Sequence, residues 1–298
     1  MDALVSRPRA LVRMKLRTLG LCALLMAVST GCSLLLDDDY SSGLRPAGSS
    51  GTASSTGGPP AAAPWGSPAE GTYSYSVTGG DNLRGPFPLS TTYGPTATVN
   101  VRHRGATCFA MTIIVRSGYD ESMEMCLHGV DVAQESGVRT QNFPFITGAT
   151  TALTCAPGDV YLTPAPSPGQ VWTHDCAGKN KDGKSGDSEF RTTGPYRFAG
   201  KESLSVGGRD VSVMHYHDER EVTGSQTGTN VADWYFAVDS GLLVRLTRKI
   251  DIEYRAPFIG LVNYLETMEM TLTSTSPDQL SDAGTNAPAD GDAGSPAK

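Results

Sequence analysis

From Leu242 to Tyr254 the chain alternates with a period of two. Leu242, Val244, Leu246, Arg248, Ile250, Ile252 and Tyr254 take one side, and Leu243, Arg245, Thr247, Lys249, Asp251 and Glu253 the other. Successive side chains of a strand point to opposite faces, so this is a long strand with one mostly apolar face and one wet face. Val262, Tyr264, Met268, Met270 and Leu272 repeat the pattern in a last strand, and Thr96–His103 reads as another. Turn residues join the strands in pairs. Gly207-Gly208 links Glu202–Val206 to Arg209–Tyr216, Asp239-Ser240-Gly241 links Val231–Val238 to Leu242–Tyr254, and Arg116-Ser117-Gly118 links Thr107–Val115 to Tyr119–Leu127. No segment shows an amphipathic helix of about ten residues or more; the one weak helical expectation covers Gln141–Leu153. Successive long hairpins predict an all-β fold: a single curved antiparallel meander sheet, half-barrel or barrel-like.

The β pattern is bounded on both sides. Residues 1–31 hold Arg7, Arg9, Arg13, Lys15 and Arg17, then an apolar run from Thr18 to Val28 that ends at Ser29-Thr30-Gly31-Cys32. Such a run has signal-peptide length, short of the ~20 residues that span a bilayer. Small residues ahead of a cysteine are the layout of a lipoprotein signal, so Cys32 is the predicted lipidation site. The position three before Cys32 is Ser29 rather than the usual Leu; Cys22 is a poor rival because Leu21 precedes it; Met14 opens a compact version of the same signal. Residues 32–68, rich in Gly, Ser, Ala and Pro, read as a flexible tether, and 276–298 as a disordered tail. Asp37-Asp38-Asp39 reads as a solvated spacer. Residues 69–275 remain as one β domain, large enough for a single core.

Charge narrows the partners. The chain carries 24 basic and 31 acidic residues; without residues 1–31, which hold five bases and one acid, 19 and 30 remain, a net of about −11. An acidic protein is a poor nucleic-acid binder and is repelled by anionic headgroups, so acyl chains on Cys32, such as palmitate, must supply the membrane attachment.

Four cysteines fall in the β domain. In the hairpin about Arg116-Ser117-Gly118, pairing Val115 with Tyr119 and counting outward sets Cys108 opposite Cys126. The second pair is then Cys155–Cys176, around the Pro-rich loop Ala156–Gln170. An even count in an exported domain argues for two disulfides. Spacings of 18, 29 and 21 lack the close cysteine pair of a zinc site.

Gly71-Thr72-Tyr73-Ser74-Tyr75, Trp172-Thr173, Gly200-Lys201-Glu202, Trp234-Tyr235, Gly241-Leu242-Leu243-Val244-Arg245 and Val262-Asn263-Tyr264-Leu265-Glu266 together resemble a group of uncharacterised secreted proteins and lipoproteins of high-GC Gram-positive bacteria. Over about Tyr196–Thr273 the chain also resembles the lipoprotein-carrier (LolA-like) half-barrel. That resemblance implies a curved antiparallel sheet cupping an apolar ligand; the lid helices of that fold have no counterpart in the sequence.

Candidate chemistry is sparse. Gly178-Lys179-Asn180-Lys181-Asp182-Gly183-Lys184-Ser185 satisfies the Walker A spelling, but a phosphate cradle needs a helix after it and none is predicted. His215, His217 and Glu219 share one strand face and are weak metal-ligand candidates. Glu266 falls on the apolar face of the last strand, where a carboxylate needs a partner or a cavity mouth; Arg248, on the apolar face of another strand, is the candidate partner. Trp172, Trp234, Met123 and Met125 read as core. The sequence shows no Gly-x-Ser-x-Gly elbow and predicts no catalytic residue and no cofactor. The predicted function is that of a lipid-anchored lipoprotein on the extracytoplasmic face of the cell membrane, binding an apolar or lipid-like ligand. Its pocket would be lined by Leu246, Arg248, Ile250, Tyr264, Glu266, Met268 and Met270. The alternatives are a structural or partner-binding envelope protein without a pocket and, third, a metal-dependent enzyme.

Overall fold

A computed structural model describes residues 66–143, 146–182, 186–256 and 260–278. The predicted signal, Cys32, most of the tether and the tail from 279 lie outside them. Thirteen strands are formed by the described residues: β1 (Gly71–Arg84), β2 (Leu89–Thr92), β3 (Thr96–Arg104), β4 (Cys108–Arg116), β5 (Tyr119–His128), β6 (Asp131–Phe143), β7 (Ile146–Leu162), β8 (Val171–Asp182), β9 (Gly186–Val206), β10 (Arg209–Gly224), β11 (Gln226–Ala237), β12 (Leu243–Ala256) and β13 (Gly260–Leu272). The weak helical expectation over Gln141–Leu153 is corrected: the described residues of this stretch lie in the paired strands β6 and β7, with Gln141 opposite Ala149. The β-branched Thr150 and Thr151 suit a ladder better than a helix.

From β3 to β13 every strand pairs antiparallel with its sequence neighbour, and β13 then pairs with β1. The meander therefore closes into a twelve-strand barrel, with β2 added along the lower part of β1. Closure, not an open half-barrel, removes the sheet edges. The seam runs from Tyr75 opposite Leu272 to Arg84 opposite Asn263. Gly79 makes the seam close: at φ +119° a Cβ there would stand 2.0 Å from the Thr267 carbonyl oxygen, so only glycine fits.

The alternation decides what lies on each side of the wall. Outward positions of β12 are Arg245, Thr247, Lys249, Asp251, Glu253 and Arg255; β1 presents Thr72, Ser74, Ser76 and Thr78. A charge facing lipid at mid-bilayer costs about 2–4 kcal/mol for Arg or Lys, so this wall is built for water. The inward positions form three levels. The upper level is a large apolar cluster including Tyr73, Tyr75, Val99, Met111, Met123, Phe198, Met214, Tyr216, Trp234, Phe236, Leu246, Met268 and Met270. The lower is small: Leu83, Ile250, Val262 and Tyr264. Between them runs a belt of buried charge.

The chain enters and leaves at the upper rim. Gly66 and Pro68 are buried, with Gly66 held between Val132 and Gly241. His103 Nε2 meets the Pro68 carbonyl oxygen at 2.9 Å and Tyr73 donates to that of Ala69 at 2.8 Å. After β13, Asp278 bridges back to Thr72. The packed body thus includes residues on both sides of the boundaries that composition alone sets at 69 and 275.

Candidate functional site

The charged belt consists of two networks. The larger one is centred on Arg248. Its Nε donates to Glu266 Oε1 at 2.7 Å, Nη1 to Glu121 Oε2 at 2.6 Å and Nη2 to the Tyr119 hydroxyl at 2.7 Å. Arg139 donates to the same Glu121 oxygen at 3.0 Å. Glu266 Oε2 accepts from the hydroxyls of Tyr119 and Tyr264, and Gln141 donates to both Tyr264 and Asp81. Asp81 Oδ2 accepts further from Tyr93 at 3.1 Å and from Arg116 at 3.3 Å. Three guanidinium groups (Arg116, Arg139, Arg248) face three carboxylates (Asp81, Glu121, Glu266), so this network is neutral as a unit.

The register explains the convergence. Asp81 on β1 stands opposite Glu266 on β13, and Glu266 opposite Ile250 on β12, so Arg248 lies one inward position above. Burial works against each charge, but the arginines reverse its effect. Desolvation raises the Glu121 carboxyl; Arg139 and Arg248 outweigh it and hold the group down at about 2. Glu266 is likewise lowered against desolvation, by Arg248 and Arg139 and by the tyrosine hydrogen bonds. Burial pushes the Tyr264 hydroxyl well up, and Glu266 adds to this, so it stays a donor.

The second network surrounds Arg220 on β10. Its Nε donates to Asp218, Nη2 to the Tyr161 hydroxyl at 2.8 Å and to His174 Nδ1 at 2.6 Å. A guanidinium has no lone pair to offer, so His174 Nδ1 is the acceptor and Nε2 carries the proton, donated to the Val160 carbonyl at 2.8 Å. Desolvation raises Asp218, but its neighbours together, Arg220 foremost, leave the carboxyl lowered. Cys155 and Asp159, four apart on β7 and flanking a shift of register where Gln134 pairs with Asp159 but Ser136 with Thr154, are both buried. Asp159 Oδ2 then lies 2.8 Å from Cys176 Sγ, whose sulfur is bonded to Cys155. The rings of Tyr161, His174, Tyr196 and Tyr216 stack in series above, at centroid spacings of 5.0, 4.2 and 5.1 Å.

The seven pocket candidates lie together inside the barrel; Arg248 and Met268 also border the concavity described below. Leu246, Met268 and Met270 belong to the upper cluster and Ile250 to the lower, while Arg248, Tyr264 and Glu266 are tied into the belt; each is at most 7% exposed. Trp234 is core, and Trp172, partly buried, packs against the upper cluster beside Tyr196 and Tyr216. The disulfides Cys108–Cys126 and Cys155–Cys176 are both formed. Each brings a carboxylate close, Glu124 and Asp159 respectively, but offers no thiolate. Residues Gly178–Asp182 of the Walker spelling belong to β8, and Gly186, just past it, opens β9, so the described part of the motif is β-strand.

Outside, one concavity of about 370 Å³ lies across β1, β11, β12 and β13, lined by Thr78, Asp233, Thr247, Lys249, Thr267 and Glu269. At its edge His215 and His217 share the outer face of β10. The acid that meets them is Asp233, directly opposite His217, not Glu219. Asp233 Oδ1 lies 2.9 Å from both His215 Nε2 and His217 Nδ1, and Glu202 Oε1 lies 2.8 Å from His215 Nδ1.

Sequence reasoning missed Asp81, Glu121, Asp218 and Arg220, although the signal was present. Each stands at an inward step of an apolar series, as Asp218 and Arg220 do between Tyr216 and Val222. Arg139 and Gln141 gave no such signal, because bulges break the alternation of β6.

No protein-family model matches the chain, nor does any curated protein. Among solved structures, the hypothetical lipoprotein YmcC from Escherichia coli is a neighbour at 16% identity, covering 69% of this chain and 85% of that one, with a TM-score of 0.31. An overlap this loose carries no argument about fold or activity.

Proposed function

We propose that this protein is a lipid-anchored envelope lipoprotein whose barrel serves as a rigid binding scaffold, working through its outer wall and free rim rather than through its lumen. One observation carries the reading: the space in which a carrier would hold an apolar ligand is occupied by the protein's own aromatic rings and a neutral ion network. An apolar guest would have to displace charged hydrogen bonds that only the network satisfies, leaving buried charges unpaired at a cost of about 3–5 kcal/mol for each broken pair.

The anchor and the topology fit one another. Cys32 precedes the first described residue, Gly66, by 34 positions. A Gly- and Ser-rich link of that length has a root-mean-square span of about 30 Å. It joins the body at the upper rim and leaves the lower rim, with exposed Phe87 and Leu261, at the distal end.

The test is intact-mass analysis of the full chain expressed in a lipoprotein-processing bacterium. The expected product begins at acylated Cys32, fractionates with membranes, and carries no stoichiometric lipid beyond its anchor. The Cys32→Ser variant should leave the membrane fraction. A second lipid bound one to one would overturn the scaffold reading in favour of a carrier, and an unmodified start would overturn the anchor.

A further inference from the structure

We propose that the outer wall carries a divalent transition-metal site whose ligands are His215, His217 and Asp233, with Glu202 as the outer partner of His215. The histidines are two apart on β10 and so project from the same face. Both direct a ring nitrogen at one atom, Asp233 Oδ1, at 2.9 Å. Two imidazoles and a carboxylate are a donor set for Zn²⁺ and its neighbours in the first transition row, with remaining positions open to water.

The contacts of His215 call for a cation. Nδ1 faces Glu202 Oε1 at 2.8 Å and Nε2 faces Asp233 Oδ1 at 2.9 Å. A neutral ring has one N–H, so one of these contacts would set lone pair against lone pair. Either a second proton or a metal ion at Nε2 resolves the conflict. The surroundings match a ligating histidine: Nδ1–H donates to Glu202, which fixes tautomer and ring plane, and the ring stacks on Tyr235 at 4.2 Å. Thr247 donates to Asp233 Oδ2 at 3.4 Å, which leaves Oδ1 to the histidines. The concavity beside Asp233 gives room for metal-bound water.

Nearby cations do not close the site. Arg245 is paired with Glu269 at 2.8 Å and lies over Tyr235. Arg197, opposite His217 on β9, and Lys249 on β12 are exposed and free to turn into solvent. His217 is 41% exposed against 16% for His215, so His217 is the ring that moves to complete coordination around an ion seated at His215.

The test uses the mature full-length protein with disulfides intact, stripped with a chelator and titrated with ZnCl₂ by calorimetry and by competition with a chromophoric chelator. One equivalent of Zn²⁺ is expected, with proton release and weaker binding on acidification. Asp233→Asn and the double variant His215→Ala/His217→Ala should each lose 10-fold or more in affinity. Glu202→Gln should lose on the order of 10- to 100-fold, as outer-shell partners do. Glu219→Gln should bind as the parent does. Unchanged melting of each metal-free variant shows that the wall is intact. Zn²⁺ binding that survives the double histidine variant, or parent binding no tighter than that variant's, overturns the site and leaves His215 held by a proton alone.

Discussion

Replacing Glu121 with Gln removes one negative charge from between two guanidinium groups while keeping shape and volume. Glu121 Oε2 accepts from Arg248 at 2.6 Å and from Arg139 at 3.0 Å, and the side chain is only 13% exposed, so solvent screening discounts the interaction little. Desolvation opposes ionisation, the two arginines overcome it, and the carboxyl falls from 4.5 to about 2. That fall corresponds to about 3 kcal/mol of stability at neutral pH, in line with the cost of breaking a buried pair. The sign follows from the lowered folded-state value. The contribution is complete above the unfolded value near 4.5 and is lost as pH falls through about 2. Urea unfolding with disulfides intact, followed by tryptophan fluorescence, should place Glu121→Gln about 3 kcal/mol below the parent at pH 7, with an unchanged m-value. For a domain of this size the melting temperature should drop by about 6–12 °C. The gap should narrow steadily between pH 4.5 and pH 2. A difference under about 1 kcal/mol at pH 7, or one that does not shrink on acidification, would refute the claim that this carboxylate latches the two sides of the barrel.

Gly79→Ala should destabilise the barrel by about 1–3 kcal/mol or prevent its closure, because the added methyl meets the Thr267 carbonyl at 2.0 Å; hydrogen exchange should show the loss first in β1 and β13. Replacing Cys155 and Cys176 together by Ala removes a cross-link that spans 21 residues and should cost about 3 kcal/mol in urea unfolding. Mg-ATP should leave the melting temperature unchanged, since the described part of the Walker spelling, Gly178–Asp182, is strand β8; a rise at millimolar nucleotide would contradict this.

Much of this architecture was legible in the sequence because strand geometry is local. A period of two places each side chain in or out without reference to any distant residue. So the faces of β12 and β13, the outward setting of His215 and His217 and the alignment of Cys108 with Cys126 could all be read from counting alone. Tertiary structure decided what counting cannot reach. Tyr75 meets Leu272 across the seam, and Glu121 meets Arg248 across the lumen, 127 positions away. Such meetings depend on how many strands close the sheet and by how much they stagger, a property of the whole ring. The same closure filled the lumen that the alternation of β12 and β13 left open to a ligand, and it set Asp233 rather than Glu219 beside the two histidines. An inward carboxylate announces in sequence that it needs a partner; only the closed barrel determines which guanidinium reaches it.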